Sequence, residues 1–126
     1  MSDKTNPLRI LVVGCGNMGG SHASAYHTID GFQICGLVST GKTNEVLNKK
    51  LGGGYALSQD FEKALETTKP DAVSISTYPD THERFAIRAM EKGCHVFIEK
   101  PLADSVKGAE RVAQAARKFK RKLVVG

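Results

Sequence analysis

Short apolar runs alternate along the chain with longer segments in which apolar residues recur at helical spacing. The first run, Ile10 to Val13, is continuous rather than alternating, as is typical of a strand buried on both faces of a parallel sheet. Similar runs predict four more strands, at residues 32–38, 72–76, 95–98 and 123–126. The five strands with helical crossovers between them predict an α/β fold over residues 1–126, a doubly wound parallel sheet in a single domain.

Local signals predict where the helices in the middle of the chain begin. Thr43 is expected to cap a short helix that the glycines at 52–54 terminate. Ser58 is expected to cap the next helix. Asp80, with Glu83 three residues further on, resembles a capping box at the start of a third.

The turn after the first strand carries a glycine motif. Gly14, Gly16 and Gly19 have G-x-G-x-x-G spacing. The residues between them are Cys15, Asn17 and Met18. In such a turn the glycines permit a tight bend, close approach of the backbone to a pyrophosphate and close packing of helix on strand. The motif predicts a Rossmann-type dinucleotide site; the alternatives are an ordinary glycine-rich turn or another nucleotide-like ligand, such as S-adenosylmethionine.

The end of the second strand bears on the choice of dinucleotide. NAD-binding versions of this fold carry an acidic residue here, which binds the ribose hydroxyls. This chain has Ser39, followed by Thr40 and Lys42. Hydroxyls and an ammonium group can donate hydrogen bonds to the 2′-phosphate of NADP, whereas a carboxylate would repel it. We therefore expect NADP, with NAD possible; the alternative is an exposed turn without cofactor contact.

Composition and charge exclude several other classes of protein. The chain has 126 residues, of which 40% are hydrophobic and 25% charged, as in a globular domain. The net charge is +5, but no aromatic residues alternate with the basic cluster at residues 118–122 and no nucleic-acid motif is present. We expect this cluster to be a solvated helix end and expect no nucleic-acid partner.

Cysteine usage and hydropathy indicate the compartment. The three cysteines, Cys15, Cys35 and Cys94, are far apart and form no C-x-x-C pair, so we expect buried thiols rather than a metal site. No apolar run approaches the roughly 20 residues that span a membrane, and the polar opening Met1–Pro7 lacks the apolar middle of a signal peptide. We expect a cytoplasmic protein that does not bind membranes.

Motifs at or near the ends of the predicted strands together resemble one family. They are the glycine turn with His22 three residues beyond it, Ser76-Thr77 through His82, residues 93–96, and Glu99-Lys100-Pro101. Over residues 8–126 the chain resembles the amino-terminal, cofactor-binding domain of the Gfo/Idh/MocA oxidoreductases. Glu-Lys-Pro after such a strand is the most specific of these motifs.

The resemblance implies a pyridine-nucleotide dehydrogenase acting on a sugar, polyol or related hydroxyl compound. It implies that Lys100 is catalytic, lying beside the nicotinamide and handling the hydroxyl proton during hydride transfer. Glu99 would orient this loop or contact the nicotinamide ribose, and the Lys100-Pro101 bond is a candidate cis peptide.

The resemblance also places the loop after the third predicted strand against the cofactor. The loop residues concerned are Thr77, Tyr78, Pro79 and His82. Tyr78 stands between Thr77 and Pro79, where many relatives have proline directly after threonine, so the detailed contacts can differ. His82 has an equal alternative as a helix-start residue that is hydrogen-bonded locally, whereas we expect a structural role for His22.

Members of this family continue into a second domain, which forms the substrate pocket and the oligomer interface. Residues 1–126 do not contain it. We therefore expect a cofactor-binding half of a longer, homo-oligomeric enzyme with a sugar-like substrate, inactive alone. The alternatives are an NAD-dependent glycosidase of the same fold and a non-catalytic nucleotide-sensing module.

Overall fold

The computed structural model describes residues 7–126 and alternates strands with helices throughout that stretch. The strands are β1 (Leu8–Val13), β2 (Phe32–Val38), β3 (Leu57–Ser58), β4 (Ala72–Ile75), β5 (His95–Ile98) and β6 (Leu123–Val125). The helices are α1 (Asn17–Thr28), α2 (Thr43–Lys50), α3 (Phe61–Thr68), α4 (Pro79–Glu91) and α5 (Val106–Phe119). The expectation for the polar opening Met1–Pro7 lies, except for Pro7, outside the described residues.

The strands form one parallel sheet in the order β3-β2-β1-β4-β5-β6. Side chains of β1 point alternately to its two faces. Leu11 and Val13 pack in a core with residues of α3, α4 and α5, whereas Ile10 and Val12 pack in a second core with residues of α1 and α2. Helices therefore cover both faces, and the predicted doubly wound α/β fold is confirmed.

The strand order places a crevice at one edge of the sheet. From β1 the chain moves outward to β2 and β3, and it then returns to the other side of β1 to form β4. The loops after β1 and β4 therefore leave in opposite directions, and ligands of open α/β sheets bind at such a switch point, outside the carboxyl ends of the strands.

The prediction of five strands is wrong by one, because β3 was missed. Two residues are too few to show a hydrophobic pattern, and Ser58 belongs to this strand instead of capping α3. The residue at the N-cap of α3 is Asp60, whose Oδ1 accepts a hydrogen bond from the Lys63 backbone N–H at 3.1 Å. The predicted cap at Thr43 is also wrong, since Thr43 is the first residue of α2 and Lys42 occupies its N-cap.

The capping box predicted at Asp80 and Glu83 does not form. Helix α4 begins two residues earlier, at Pro79, with Tyr78 at the N-cap and no side-chain hydrogen bond from the cap. Proline suits the first helical position because that position needs no N–H donor. Glu83 instead forms an ion pair with Arg111 of α5. None of the helices within residues 7–126 combines the length and the apolar character needed to cross a bilayer.

Candidate cofactor-binding site

A cleft of about 570 Å³ opens at the carboxyl ends of β1, β2 and β4, which is within the usual range for small-molecule sites. Of the predicted site residues, those that line it are Gly14, Cys15, Gly16, Ser39, Thr40, Thr77 and Tyr78. Those outside its lining are Asn17, Met18, Gly19, Lys42, Pro79, His82, Glu99 and Lys100. The cleft thus unites the loops after the three central strands, while the segment after β5 lies beside it.

Two glycines of the motif are required by the protein's own backbone. Gly14 has a φ of +93°, and a Cβ there would lie 2.5 Å from the Ser76 carbonyl oxygen. A Cβ at Gly19 would lie 1.8 Å from the carbonyl oxygen of Gly14. Their lack of a side chain lets α1 start directly beneath the end of β1.

Gly16 is different, because no contact within the protein requires a glycine at this position. A Cβ added at this position would meet no atom within 4 Å, and its φ of −76° suits any residue. Gly16 is the N-cap of α1, makes no side-chain cap and is followed by no acidic residue in the first turn. The space that a side chain would fill lies where helix N–H groups and the positive end of the dipole favour an anion. A pyrophosphate therefore fits this turn.

The three thiols are free in the structure, and that of Cys15 ties the glycine turn to β2. Its Sγ donates to the Val38 carbonyl oxygen at 3.5 Å, and burial raises the pKa of Cys15 to about 11. Burial also raises the pKa of Cys94 to about 11. It raises the pKa of the half-buried Cys35 as well. Expected burial is thus confirmed for Cys15 and Cys94. Within residues 7–126 no cluster of three or more His, Cys, Asp or Glu is arranged to bind a metal.

The turn after β2 uses its polar groups internally. The hydroxyl of Ser39, which is buried, donates to the Gly41 carbonyl oxygen at 3.0 Å and accepts from the Asn44 backbone N–H at 3.1 Å. The Asn44 amide in turn donates to the Ser58 carbonyl oxygen at 3.0 Å. Because the Ser39 proton is already engaged, Thr40 is the exposed hydroxyl of this turn that faces the cleft.

A polar atom without a partner lies in the cleft beside the glycine turn. The Oγ of Ser76, just after β4, is buried and has no hydrogen bond within the described residues. Its neighbours are already engaged: the hydroxyls of Thr77 and Thr81 are 2.6 Å apart, and that of Thr81 donates to the Tyr78 carbonyl oxygen at 2.7 Å. Since a buried hydroxyl without a partner costs free energy, Ser76 fits a site completed by a ligand.

The segment after β5 is held in place by a histidine of α1. Nε2 of His22 lies 2.8 Å from Oε2 of Glu99, and its ring packs edge-on against Phe97 at 4.8 Å. Backbone hydrogen bonds fix the segment further, since the N–H of Lys100 donates to the Gly126 carbonyl oxygen at 2.9 Å. The predicted cis bond between Lys100 and Pro101 is confirmed. The ammonium group of Lys100 is exposed and has no hydrogen bond or ion pair to residues 7–126.

His82 joins the loops after β4 and β5. It is 1% exposed, with Nδ1 2.7 Å from the Pro101 carbonyl oxygen and Nε2 3.0 Å from that of Thr77. Both ring nitrogens therefore contact backbone carbonyl oxygens, one near in sequence at Thr77 and one on the segment after β5 at Pro101. Through this ring, the position of the Lys100 segment depends on that of the Thr77 loop.

Several residues that line the cleft were not among the predicted site residues. They are Gln59, Phe61, Ser76, Arg84 and Phe85. Thr81, Arg84 and Phe85 are spaced at i, i+3 and i+4 and so share one face of α4. Their position about one helical turn after the loop at Thr77 could have indicated that they line the cleft. Phe85, however, also fitted the apolar face of the helix, and Arg84 matched no motif.

Comparisons with known proteins agree with this geometry. The family model described as "Oxidoreductase family, NAD-binding Rossmann fold" matches residues 8–126. The chain is 36% identical over 122 residues to inositol 2-dehydrogenase 4 of Saccharopolyspora erythraea, covering 93% of this chain and 35% of that protein. It is also 28% identical over 113 residues to glycosyl hydrolase family 109 protein 1 of Akkermansia muciniphila, covering 82% of this chain and 24% of that protein.

A solved structure gives the same picture in three dimensions. Scyllo-inositol dehydrogenase from Lactobacillus casei, with bound NAD(H) and scyllo-inositol, superimposes with a TM-score of 0.87 at 26% identity. The match covers 96% of this chain and 36% of that one. The present chain therefore spans little more than a third of these proteins at most.

Proposed function

The chain belongs to the oxidoreductase family with the NAD-binding Rossmann fold, and from that membership we propose that it is the cofactor-binding domain of a dehydrogenase. The enzyme would transfer hydride between a nicotinamide dinucleotide and a hydroxyl group of a sugar, polyol or related compound. The observation that carries the cofactor assignment is the open position at Gly16, above the N-terminus of α1. Residues of the cleft supply room for the rest of the dinucleotide.

Each part of the site has a proposed role in holding the cofactor. The glycine turn, Gly14 to Gly19 with Cys15, Asn17 and Met18 between the glycines, would bind the pyrophosphate through backbone N–H groups. Ser76 would give its unpaired hydroxyl to the ligand. The loop that includes Thr77, Tyr78 and Pro79 would form the wall opposite β2. His82 would position this loop through Thr77 rather than contact the cofactor.

The reacting end of the site lies beside β5 in this proposal. The bound nicotinamide ring would accept or supply the hydride. Alcohol oxidation also releases the hydroxyl proton, and Lys100 is proposed to accept it on its neutral side-chain amine, becoming the ammonium, which would return the proton in the reverse direction. Its Nζ is exposed and free of partners within residues 7–126. Glu99, bound to His22, would keep the segment oriented.

We propose NADP as the preferred cofactor, with NAD also accepted. No aspartate or glutamate of residues 7–126 lines the cleft, so no carboxylate of that stretch repels a 2′-phosphate there. Thr40 can donate a hydrogen bond to that group, whereas the proton of Ser39 is engaged with Gly41 and Lys42 lies outside the lining. The solved relative with NAD(H) supports acceptance of the unphosphorylated cofactor.

We propose further that a second domain of a longer, cytoplasmic homo-oligomer supplies the pocket for a sugar-like substrate. Two related proteins, named for inositol and scyllo-inositol, support a polyol substrate. The share of their length that this chain covers leaves room for a substrate domain. Three free thiols suit a reducing compartment.

The test has a binding arm and a turnover arm. The chain should quench or enhance NADPH fluorescence on titration, yet should not reduce NADP⁺ in the presence of polyols. An enzyme carrying this domain together with a substrate domain should form NADPH in proportion to the hydroxyl compound oxidised. Glycoside cleavage without net NADPH formation would favour the glycosidase alternative, which the similarity to a glycosyl hydrolase makes worth testing. Absence of nucleotide binding by the folded chain would contradict the proposal.

A further inference from the structure

Among residues 7–126, Arg84 is the only lysine or arginine that lines the cleft. It lies on α4, five residues after the helix begins at Pro79, and so comes from the opposite wall to the turn after β2. We propose that the guanidinium of Arg84 binds the 2′-phosphate of NADP and determines the preference for NADP over NAD. This inference rests on the proposed function, because it assumes that a dinucleotide occupies the cleft.

The first argument is that Arg84 is free to bind a ligand. Its guanidinium has no hydrogen bond or ion pair within residues 7–126, and its contact is with the ring of Phe85, 4.9 Å from the guanidinium carbon to the ring centroid. Arg88, one turn further along the same helix, is paired with Glu62 and Glu91. Two arginines of one helix thus differ: one is part of the surface ion-pair network, and the other keeps its donors for the cleft.

The second argument is that the aromatic support under Arg84 is fixed. The ring of Phe85 packs against that of Phe61 with centroids 4.4 Å apart, and Phe61, the first residue of α3, is buried in the core that also contains residues of α4. This contact with the ring leaves the N–H donors of the guanidinium without hydrogen bonds to residues 7–126. A guanidinium has the geometry for two parallel hydrogen bonds to a phosphate, which an ammonium group does not offer.

The third argument is that the turn after β2 offers no other cation to this cleft. The ribose next to adenine lies at the end of β2 in this fold, where Ser39 is committed to Gly41 and Asn44. Lys42 is at the N-cap of α2, outside the lining of the cleft. Thr40 and Gly41 face the same cleft as Arg84. A 2′-phosphate there would be bounded by Thr40 on one wall and Arg84 on the other.

The test is a set of fluorescence titrations of this chain with NADPH and, separately, with NADH. Wild type should bind NADPH more tightly. Arg84→Ala should weaken NADPH binding by about 10- to 100-fold, the range for a lost charged hydrogen bond, and change NADH binding by less than about threefold. Arg84→Lys should recover only part of the loss, because it keeps the charge without the paired donors.

Two further variants separate this site from general charge effects. Arg117→Ala removes an exposed arginine of α5 that does not line the cleft, so the NADPH preference should remain. Lys42→Ala tests the rival cation on the β2 side. Thermal unfolding of every variant shows whether it is folded. Competition with 2′,5′-ADP in the NADPH titrations shows whether a change in affinity arises from the 2′-phosphate.

The outcomes are distinguishable from those of the proposed function. If wild type binds both nucleotides but prefers NADH, or if Arg84→Ala lowers both affinities equally, Arg84 does not read the 2′-phosphate and the cofactor assignment stands. If Lys42→Ala loses the preference for NADPH while Arg84→Ala keeps it, the 2′-phosphate binds on the β2 side of the cleft, and the inference is overturned. Failure of the folded wild type to bind either nucleotide would overturn both.

Discussion

The glycine turn after β1 and the turn after β2 flank the same cleft and treat their polar groups in opposite ways. Around Gly16 the start of α1 has no side-chain cap, and an added Cβ would meet only open space. Around Ser39 the hydroxyl both donates and accepts within the turn, and Asn44 extends the network to β3. The first turn therefore leaves its N–H groups and an open space, as the proposed pyrophosphate site requires, whereas the second uses its polar groups to hold its own shape.

This difference shows how a binding residue can be separated from a structural one in a single structure. A polar group that is hydrogen-bonded within the protein needs no ligand to explain it. The same holds for a glycine whose lack of a side chain is required by neighbouring protein atoms. Gly14 and Gly19 are explained by the backbone that they contact, whereas Gly16 and the hydroxyl of Ser76 are not. The free ammonium of Lys100 belongs with the latter group.

The largest expected effect is the loss of turnover when Lys100, another group without a partner within residues 7–126, is replaced. In an enzyme that carries this domain with a substrate domain, Lys100→Ala should lower kcat by about 10²- to 10⁴-fold, the usual contribution of a positioned acid or base. Its cofactor Kd should change by less than about threefold. Lys107→Ala, at an exposed position in the first turn of α5, is the matched control. Unchanged turnover in Lys100→Ala would remove this residue from the mechanism.

Gly19 and Gly20 are adjacent glycines that should respond oppositely to alanine. Gly19→Ala places a Cβ 1.8 Å from the Gly14 carbonyl oxygen, and this overlap should lower the free energy of unfolding by about 3 kcal/mol. Gly20→Ala meets only Leu47 Cδ1 at 3.7 Å and should raise it by roughly 0.5–1 kcal/mol, since alanine favours the helix. Urea denaturation measures both. Equal stability of the two variants would contradict the account of the glycine turn.

Cys15, which joins the two turns, should make stability sensitive to alkaline pH. Its pKa is raised by burial from 9.0 to about 11, so between these values the folded state keeps a proton that the unfolded chain loses. Stability should therefore fall as pH rises from about 9 to about 11, by on the order of 2 kcal/mol from this thiol. Denaturation of Cys15→Ala across the same range should show a shallower fall. An identical slope in the variant would contradict the assignment.

Ser39→Ala should have the smallest effect, and it should be an effect on stability. Removing the hydroxyl leaves the Asn44 N–H without its partner and leaves the Gly41 carbonyl only the Gln59 amide at 3.4 Å, which should cost about 1 kcal/mol of unfolding free energy. NADPH affinity should stay within about twofold, because the hydroxyl proton already serves the turn. Thr40→Ala, which removes the exposed hydroxyl, should leave stability unchanged. A large loss of NADPH affinity in Ser39→Ala would show that the Ser39 hydroxyl binds the cofactor, which contradicts its assignment to the turn itself.

Much of the fold and part of the site could be predicted from the sequence because their signals are local. Continuous apolar runs marked five of the strands, and the spacing of three glycines marked the turn after β1. Strand β3 escaped because it has two residues, and pairing with β2 rather than hydrophobicity makes it a strand. The start of α4 was misplaced because Asp80 and Glu83 have capping-box spacing, whereas Pro79 already begins the helix and Glu83 binds Arg111.

The rest of the site depends on contacts between distant residues. The engagement of Ser39 requires the Asn44 N–H to return to it as α2 begins, which no spacing rule reveals. Arg84 looked like any polar position on an amphipathic helix, and only the placement of α4 after β4, across the cleft from the turn after β2, brings it to the cleft. His22 could be recognised as structural, but its partner Glu99 is 77 residues away.

The most direct test of the central claim is Gly16→Ala, measured both for stability and for NADPH binding. Because the added Cβ meets no protein atom within 4 Å, the free energy of unfolding should stay within about 1 kcal/mol of wild type. The same Cβ would occupy the space assigned to the pyrophosphate, so NADPH affinity should fall by at least about tenfold. Unchanged affinity in a variant of wild-type stability would contradict the claim that this turn binds the dinucleotide.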